Sequence, residues 1–130
     1  MANRYKILKC DFACRQILSK EYFVCQKCKE CKPLDVSHCF GKKAYPHLRH
    51  DLNNLLLLCN DCHIGWWHKY PKEAWSWFEE NFEERYNYLI VAKNKIVKLN
   101  KMYYEQKYQE LKKMEGERSE KEVEAKYQGM

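Results

Sequence analysis

The sequence predicts a mostly helical protein with one small, cysteine-rich core that carries two short strands. Three observations predict it. Glycine is scarce, at four residues in 130, while apolar residues recur at helical spacing toward both ends of the chain. Residues 25–70 break that pattern: they are short in period, rich in Cys and His, and contain Pro33, Gly41 and Pro46. Within them, Cys25-Gln26-Lys27-Cys28 and Cys59-Asn60-Asp61-Cys62 form two C-x-x-C pairs, with thirty residues between Cys28 and Cys59.

Each C-x-x-C turn directs two sulfurs at one point, and two such turns complete a tetrahedron around Zn²⁺. Eight cysteines in a chain that opens without an apolar leader read as metal ligands and free thiols before disulfides. A structural zinc ion at Cys25, Cys28, Cys59 and Cys62 is therefore expected. Cys31 makes an overlapping pair with Cys28. The short run from Cys31 to Asp35 favours Cys25, but replacement of Cys25 by Cys31 stays open. Cys10, Cys14 and Cys39 read as ordinary thiols.

The elements follow in order. Tyr5, Leu8, Phe12, Cys14, Ile17, Leu18 and Tyr22 predict an N-terminal helix within residues 1–24. Residues 25–82 form the metal-organised core, with strands near 36–40 and 55–58. A helix starts at Asn60 or Asp61, either of which can cap it. Pro71 fits the first turn of a helix over 72–82, whose Trp75, Phe78 and Phe82 share a face. Residues 83–114 read as one long basic helix, with Lys93 and Asn100 interrupting an apolar seam of Tyr86, Leu89, Ile90, Ile96, Val97, Tyr104 and Leu111. That seam predicts a homodimer, or a helix packed back on the core. Residues 115–130 read as a polar tail that frays.

Bulk composition sets limits. With 45% hydrophobic and 32% charged residues, the chain is neither disordered nor membrane-embedded. Its longest aliphatic run, 55–58, is far short of the roughly 20 residues of a membrane span. A cytoplasmic protein without a membrane partner is expected. The net charge of +6 suits an anionic partner, and residues 85–113 hold eight Lys/Arg against two Glu. Trp66, Trp67, Trp75 and Trp77 could stack on bases, but helical spacing favours core packing.

The stretch between the two cysteine pairs carries the chemistry. It holds Asp35-Val36-Ser37-His38, then Arg49-His50-Asp51-Leu52-Asn53-Asn54, and His63 directly after Cys62. A neutral imidazole can take a proton from water near pH 7, an amide can hold that imidazole, and a helix-borne ligand can place a divalent metal on a phosphate. These residues, with Pro46-His47-Leu48-Arg49, Trp67-His68-Lys69-Tyr70-Pro71 and Phe82-Glu83-Glu84-Arg85-Tyr86, resemble the HNH (ββα-metal) endonuclease superfamily. The similarity is nearest to phage NinG/Rap-type recombination nucleases and small phage HNH proteins, and it covers residues 25–88.

The resemblance implies a mostly α protein with a zinc-stabilised ββα-metal core that hydrolyses DNA phosphodiester bonds. It further implies a phage protein acting in the host cytoplasm, and branched DNA such as a Holliday junction as one substrate. His38 would be the general base and Asn54 would orient it. His63 would bind the catalytic Mg²⁺ or Mn²⁺, and Asp35 would be a second ligand or would support the base. The family's usual acidic or histidine residue before the base is replaced here by Ser37. The usual second histidine four residues after the first is replaced by Trp67, which makes His68, five after His63, the alternative ligand. Arg49, Lys42, Lys43, Lys93, Lys98 and Lys101 would contact phosphates. The reading from another class is a zinc-binding DNA adaptor without catalysis, for which His38, Asn54 and His63 together would have no use. An RNA-binding zinc knuckle is weaker, because the aromatics follow helical spacing.

Overall fold

The computed structural model describes residues 3–128, with side chains described for 3–116. The described chain is mostly helical, with one two-stranded antiparallel sheet. It divides into two compact units: residues 21–97, and the two chain ends, 1–20 with 98–130.

In the central unit, β1 (Leu34–His38) pairs with β2 (Leu55–Cys59), so that Asp35 faces Leu58 and His38 faces Leu55. β1 begins two residues earlier than the alternation predicted. Its ladder ends at His38 because Phe40 is claimed by a side chain: Asn54 Oδ1 accepts from the Phe40 N–H at 2.7 Å. All five β2 residues are buried, as expected of an uninterrupted aliphatic run.

A helical turn, α2 (Asn60–Cys62), follows β2 directly and runs into a π-helical turn, His63–Trp67. The residue at the N-cap is Cys59, not Asn60 or Asp61, and it makes no side-chain capping bond. Its sulfur is committed to the cysteine cluster instead. Next come α3 (Pro71–Asn81), with Pro71 in the first turn as expected, and α4 (Glu83–Ala92). Trp67, Ala74, Phe78, Leu89 and Ala92 bury themselves against Leu56, Leu58 and Leu48. Trp66, Trp67, Trp75 and Trp77 join Phe78, Phe82 and Tyr86 in edge-on and tilted ring contacts of 5.4–6.2 Å. The tryptophans are therefore packing residues of this unit.

The single helix expected over 83–114 is two helices. α4 stops at Ala92, where His47 Nε2 lies 3.2 and 3.1 Å from the terminal carbonyls of Ala92 and Lys93. α5 (Lys101–Gln128) starts afresh, with Asn100 Oδ1 accepting from the Tyr103 N–H at 2.9 Å. Asn100, read as a flaw in a seam, is a helix cap. The intervening 93–100 contains Asn94 and the β-branched Ile96-Val97, all weaker helix formers. The seam is thus not one stripe. Leu89 is buried in the central unit, Tyr104 and Leu111 are buried in the other, and Ile96 is fully exposed. The helix also extends past Glu115, where fraying was expected; Glu, Lys and Arg are good helix formers.

In the terminal unit, Cys10, Ala13, Cys14, Ile17 and Leu18 form the buried face of α1 (Arg4–Glu21). That face lies beside α5: Cys10 Sγ donates to the Tyr104 carbonyl at 3.6 Å, and Lys6 pairs with Glu105 at 2.9 Å. Tyr5, Leu8 and Phe12, apolar positions of the predicted helix, are exposed.

Arg85 on α4 locks the turn before β2. Its guanidinium donates to the Asn53 and Leu55 carbonyls at 2.8 and 2.7 Å and lies 4.9 Å from the Phe82 ring centre. Replacing it as Arg85→Met keeps the stem but strips those carbonyls of a charged donor. Urea unfolding should show a loss of about 2 kcal/mol; a loss under about 0.5 kcal/mol would mean that the turn holds itself.

Candidate metal centre and histidine cluster

The first C-x-x-C forms a tight knuckle. Lys29, at φ 65°, turns the chain back, and the Cys25 N–H reaches the Glu30 carbonyl at 3.1 Å. Gln26, which no sequence signal singled out, anchors the knuckle on the sheet. Its backbone N–H donates to the Leu57 carbonyl at 3.0 Å, and its buried side-chain oxygen accepts from the Leu57 N–H at 2.8 Å. The second C-x-x-C sits where β2 becomes α2.

The two knuckles bring Cys25, Cys28, Cys59 and Cys62 together, with all four sulfurs within 4.8 Å of one another. Cys28 and Cys59 sulfurs are 3.8 Å apart. Four thiolates at about 2.3 Å from one tetrahedral ion lie about 3.8 Å from each other. The set therefore could hold one metal ion and is compatible with Zn²⁺. Burial alone would push the Cys25 thiol up, but backbone N–H groups of Cys28, Cys59 and Lys27 donate to its sulfur and lower it to about 6. Cys31 is exposed and outside the cluster, so the geometry selects Cys25. Cys10, Cys14 and Cys39 are buried thiols, and burial pushes Cys39 up to about 12.

The remaining predicted residues fall into two groups. Asp35, His63 and His68 form the first. Asp35 Oδ2 is 3.2 Å from His63 Nδ1, and His63 Nε2 is 3.2 Å from His68 Nε2. A carboxylate only accepts, so His63 Nδ1 carries the proton and its Nε2 presents a lone pair. His68 reaches this position because the turn is π-helical: the His68 N–H bonds to the His63 carbonyl, five residues back, at 3.1 Å. In an α-helix, residues five apart diverge by about 140°. Desolvation and the neighbouring His63 hold His68 below the usual imidazole range.

His38, Arg49 and Asn54 form the second group. His38 Nε2 lies 3.2 Å from the Arg49 carbonyl, which can only accept, so Nε2 carries a proton. Asn54, fully buried, does not hold the imidazole directly. Its amide donates to the Phe40 and Leu48 carbonyls at 3.0 and 3.1 Å, which closes the loop that presents Arg49. Asp35 and His38 are three apart on one strand and so lie on opposite faces. Asp35 thus supports His63 rather than the base candidate.

The predicted basic residues are divided between the two units. Lys42 and Lys43 are exposed, and Arg49 is half-buried beside His38. Lys93 lies over the Phe40 ring at 5.6 Å in the central unit, whereas Lys98 and Lys101 are exposed in the other. His47 caps α4 and His50 is a buried side chain. Among the described residues, no helix is long and apolar enough to cross a membrane.

Comparison with protein-family models, curated proteins and solved structures finds no match to this chain.

Metal analysis of the pure protein should find one zinc per chain. Cys59→Ser should lose the ion and the fold together, since binding energy at such a site is folding energy. Cys31→Ser should keep both. Zinc retained in Cys25→Ser but lost in Cys31→Ser would move the site to the overlapping pair.

Proposed function

We propose that the central unit is a zinc-stabilised HNH-type nuclease that hydrolyses DNA phosphodiester bonds with a divalent metal. The observation that carries this reading is the Asp35–His63–His68 chain at the start of the helical segment after the four-cysteine cluster. A histidine oriented by a carboxylate through one ring nitrogen, with its other nitrogen directed at a second histidine, is the arrangement of a metal-binding pair and its outer-shell support. The 3.2 Å between the two Nε2 atoms suits two nitrogens each about 2.1 Å from one ion. The donor set therefore fits a divalent metal held by His63 and His68, with Asp35 behind His63.

Bound Mg²⁺ or Mn²⁺ would supply charge at the phosphate and at the departing oxygen. The protein supplies the rest. His38, positioned through Nε2 by the Arg49 carbonyl, would take a proton from an attacking water. Asn54 keeps that carbonyl in place through the loop. The half-buried Arg49, with a forked guanidinium, would hold a flanking phosphate; Lys42 and Lys43 would add charge without reading sequence. The reading requires His38 and the His63–His68 pair to meet one phosphodiester, and separate variants test each group.

Purified protein incubated with supercoiled plasmid, linear duplex and a four-way junction, in Mg²⁺ or Mn²⁺, should yield cut products. His38→Ala should lose about 10²- to 10⁴-fold in rate while keeping its zinc. Asp35→Ala should lose about 10- to 100-fold, most of it recovered by raising the metal concentration, because Asp35 acts through His63. Activity within tenfold of wild type in both His38→Ala and His63→Ala would instead support a zinc-binding DNA adaptor. A preference for the junction, with light scattering showing a dimer, would support a branched-DNA resolvase; equal cutting of linear duplex by a monomer would leave a general HNH nuclease.

A further inference from the structure

The terminal unit holds a groove that the nuclease reading does not use. Tyr5, Leu8, Lys9, Phe12 and Ala13 of α1 line it with Tyr108 and Lys112 of α5, around a space of about 350 Å³. Tyr5 is 71% and Phe12 is 64% exposed, in a stripe with Leu8, itself 49% exposed. Lys9 Nζ sits 4.1 Å from the centre of the Tyr108 ring and 5.5 Å from that of Tyr5. The groove thus sets partly exposed rings beside two ammonium groups: Lys9, which lies over two of the rings, and Lys112, which also pairs with Glu115 at 2.9 Å.

Two occupants compete for such a surface, and charge separates them. Residues 1–20 and 98–130 hold thirteen Lys/Arg against eight Asp/Glu, a net +5, while residues 21–97 hold eleven against ten. Most of the chain's net positive charge, five of six, therefore belongs to this unit. Like charge opposes a second copy and favours a polyanion. A duplex would satisfy the lysines but leave the rings exposed to water, since its base faces are already stacked. An unpaired strand satisfies both: bases cover the aromatic rings while phosphates meet the ammonium groups.

We propose that the α1–α5 groove binds single-stranded DNA, by stacking bases on Tyr5, Phe12 and Tyr108 with Lys9 and Lys112 at the phosphates. The choice of DNA over RNA rests on the proposed nuclease activity; the stacking does not.

The test uses the full chain without added divalent metal, and fluorescence anisotropy with three labelled strands: oligothymidine, an abasic strand of equal length and charge, and oligouridine. Oligothymidine should bind at least about tenfold more tightly than the abasic strand. The double variant Tyr5→Ala/Phe12→Ala should lose that preference, and Tyr5→Phe/Phe12→Tyr should keep it. Should the alanine variant fail to fold, photocrosslinking of wild type to a 5-iododeoxyuridine strand decides, with adducts expected at residues 5–12 or 108–112. Equal binding of the thymidine and abasic strands would overturn the proposal, as would adducts elsewhere or tighter binding of oligouridine. A wild-type dimer that dissociates in the alanine variant would make a second copy the occupant. Plasmid cleavage by the same variant, read separately, reports on the nuclease site alone, so the two readings can fail independently.

Discussion

The four-cysteine cluster is the constraint on which the central unit depends. A two-stranded sheet of five-residue strands is marginal by itself, and the cluster ties the Cys59 end of β2 to the 25–28 knuckle. Cys59 carries three duties at once. It is the ladder partner of Leu34, a member of the sulfur cluster, and the residue from which α2 departs. Clamping its sulfur to the 25–28 knuckle fixes where the helical segment begins relative to the strands. That placement puts Asp35, one step along β1 from Leu34, within hydrogen-bonding distance of His63.

Buried polar contacts then shape the long connection between the strands. Residues 39–54 bury few large apolar side chains, so their backbone groups must find partners inside the unit. Asn54 answers three of them, two at Phe40 and one at Leu48. Arg85 answers carbonyls of the turn that follows, held in turn against Phe78 and Phe82. The packing of α3 and α4 is therefore coupled to the loop whose Arg49 carbonyl meets His38. A change far from the imidazole, at Arg85 or in the tryptophan cluster, would reach it through these bonds.

Local pattern made much of this readable from sequence. Paired C-x-x-C spacing named the four clustered cysteines, the aliphatic run named β2, and Pro71 named the start of α3. Interruptions of pattern were harder. Asn100 was visible as a polar residue in an apolar series, yet its role as a cap depends on the weak helix formers before it. The two faces of α1 could not be separated by spacing, because which face is covered depends on α5, nearly a hundred residues away. Gln26 carried no sequence signal, and Arg85 stood only inside a resembling run with no role attached: one buried amide and one guanidinium gain their meaning from carbonyls and N–H groups that only the fold brings near.

The histidine pair shows how a departure from a pattern can be repaired by backbone geometry. Two histidines four apart meet on a regular helix, and five apart they do not. This chain has Trp67 at the four-residue position, and Trp67 is needed inward, buried against Phe78 and Trp75. A regular helix would therefore have to choose between the core and the pair. One π-helical turn removes the conflict: it admits an extra residue, so Trp67 enters the core while His68 comes round to His63. Such turns have poorer helical bonding and are rare, and they recur mostly at functional sites. Here the cost is offset by tryptophan burial on one side. On the other, it yields a carboxylate-backed histidine pair that no regular helix of this sequence could assemble.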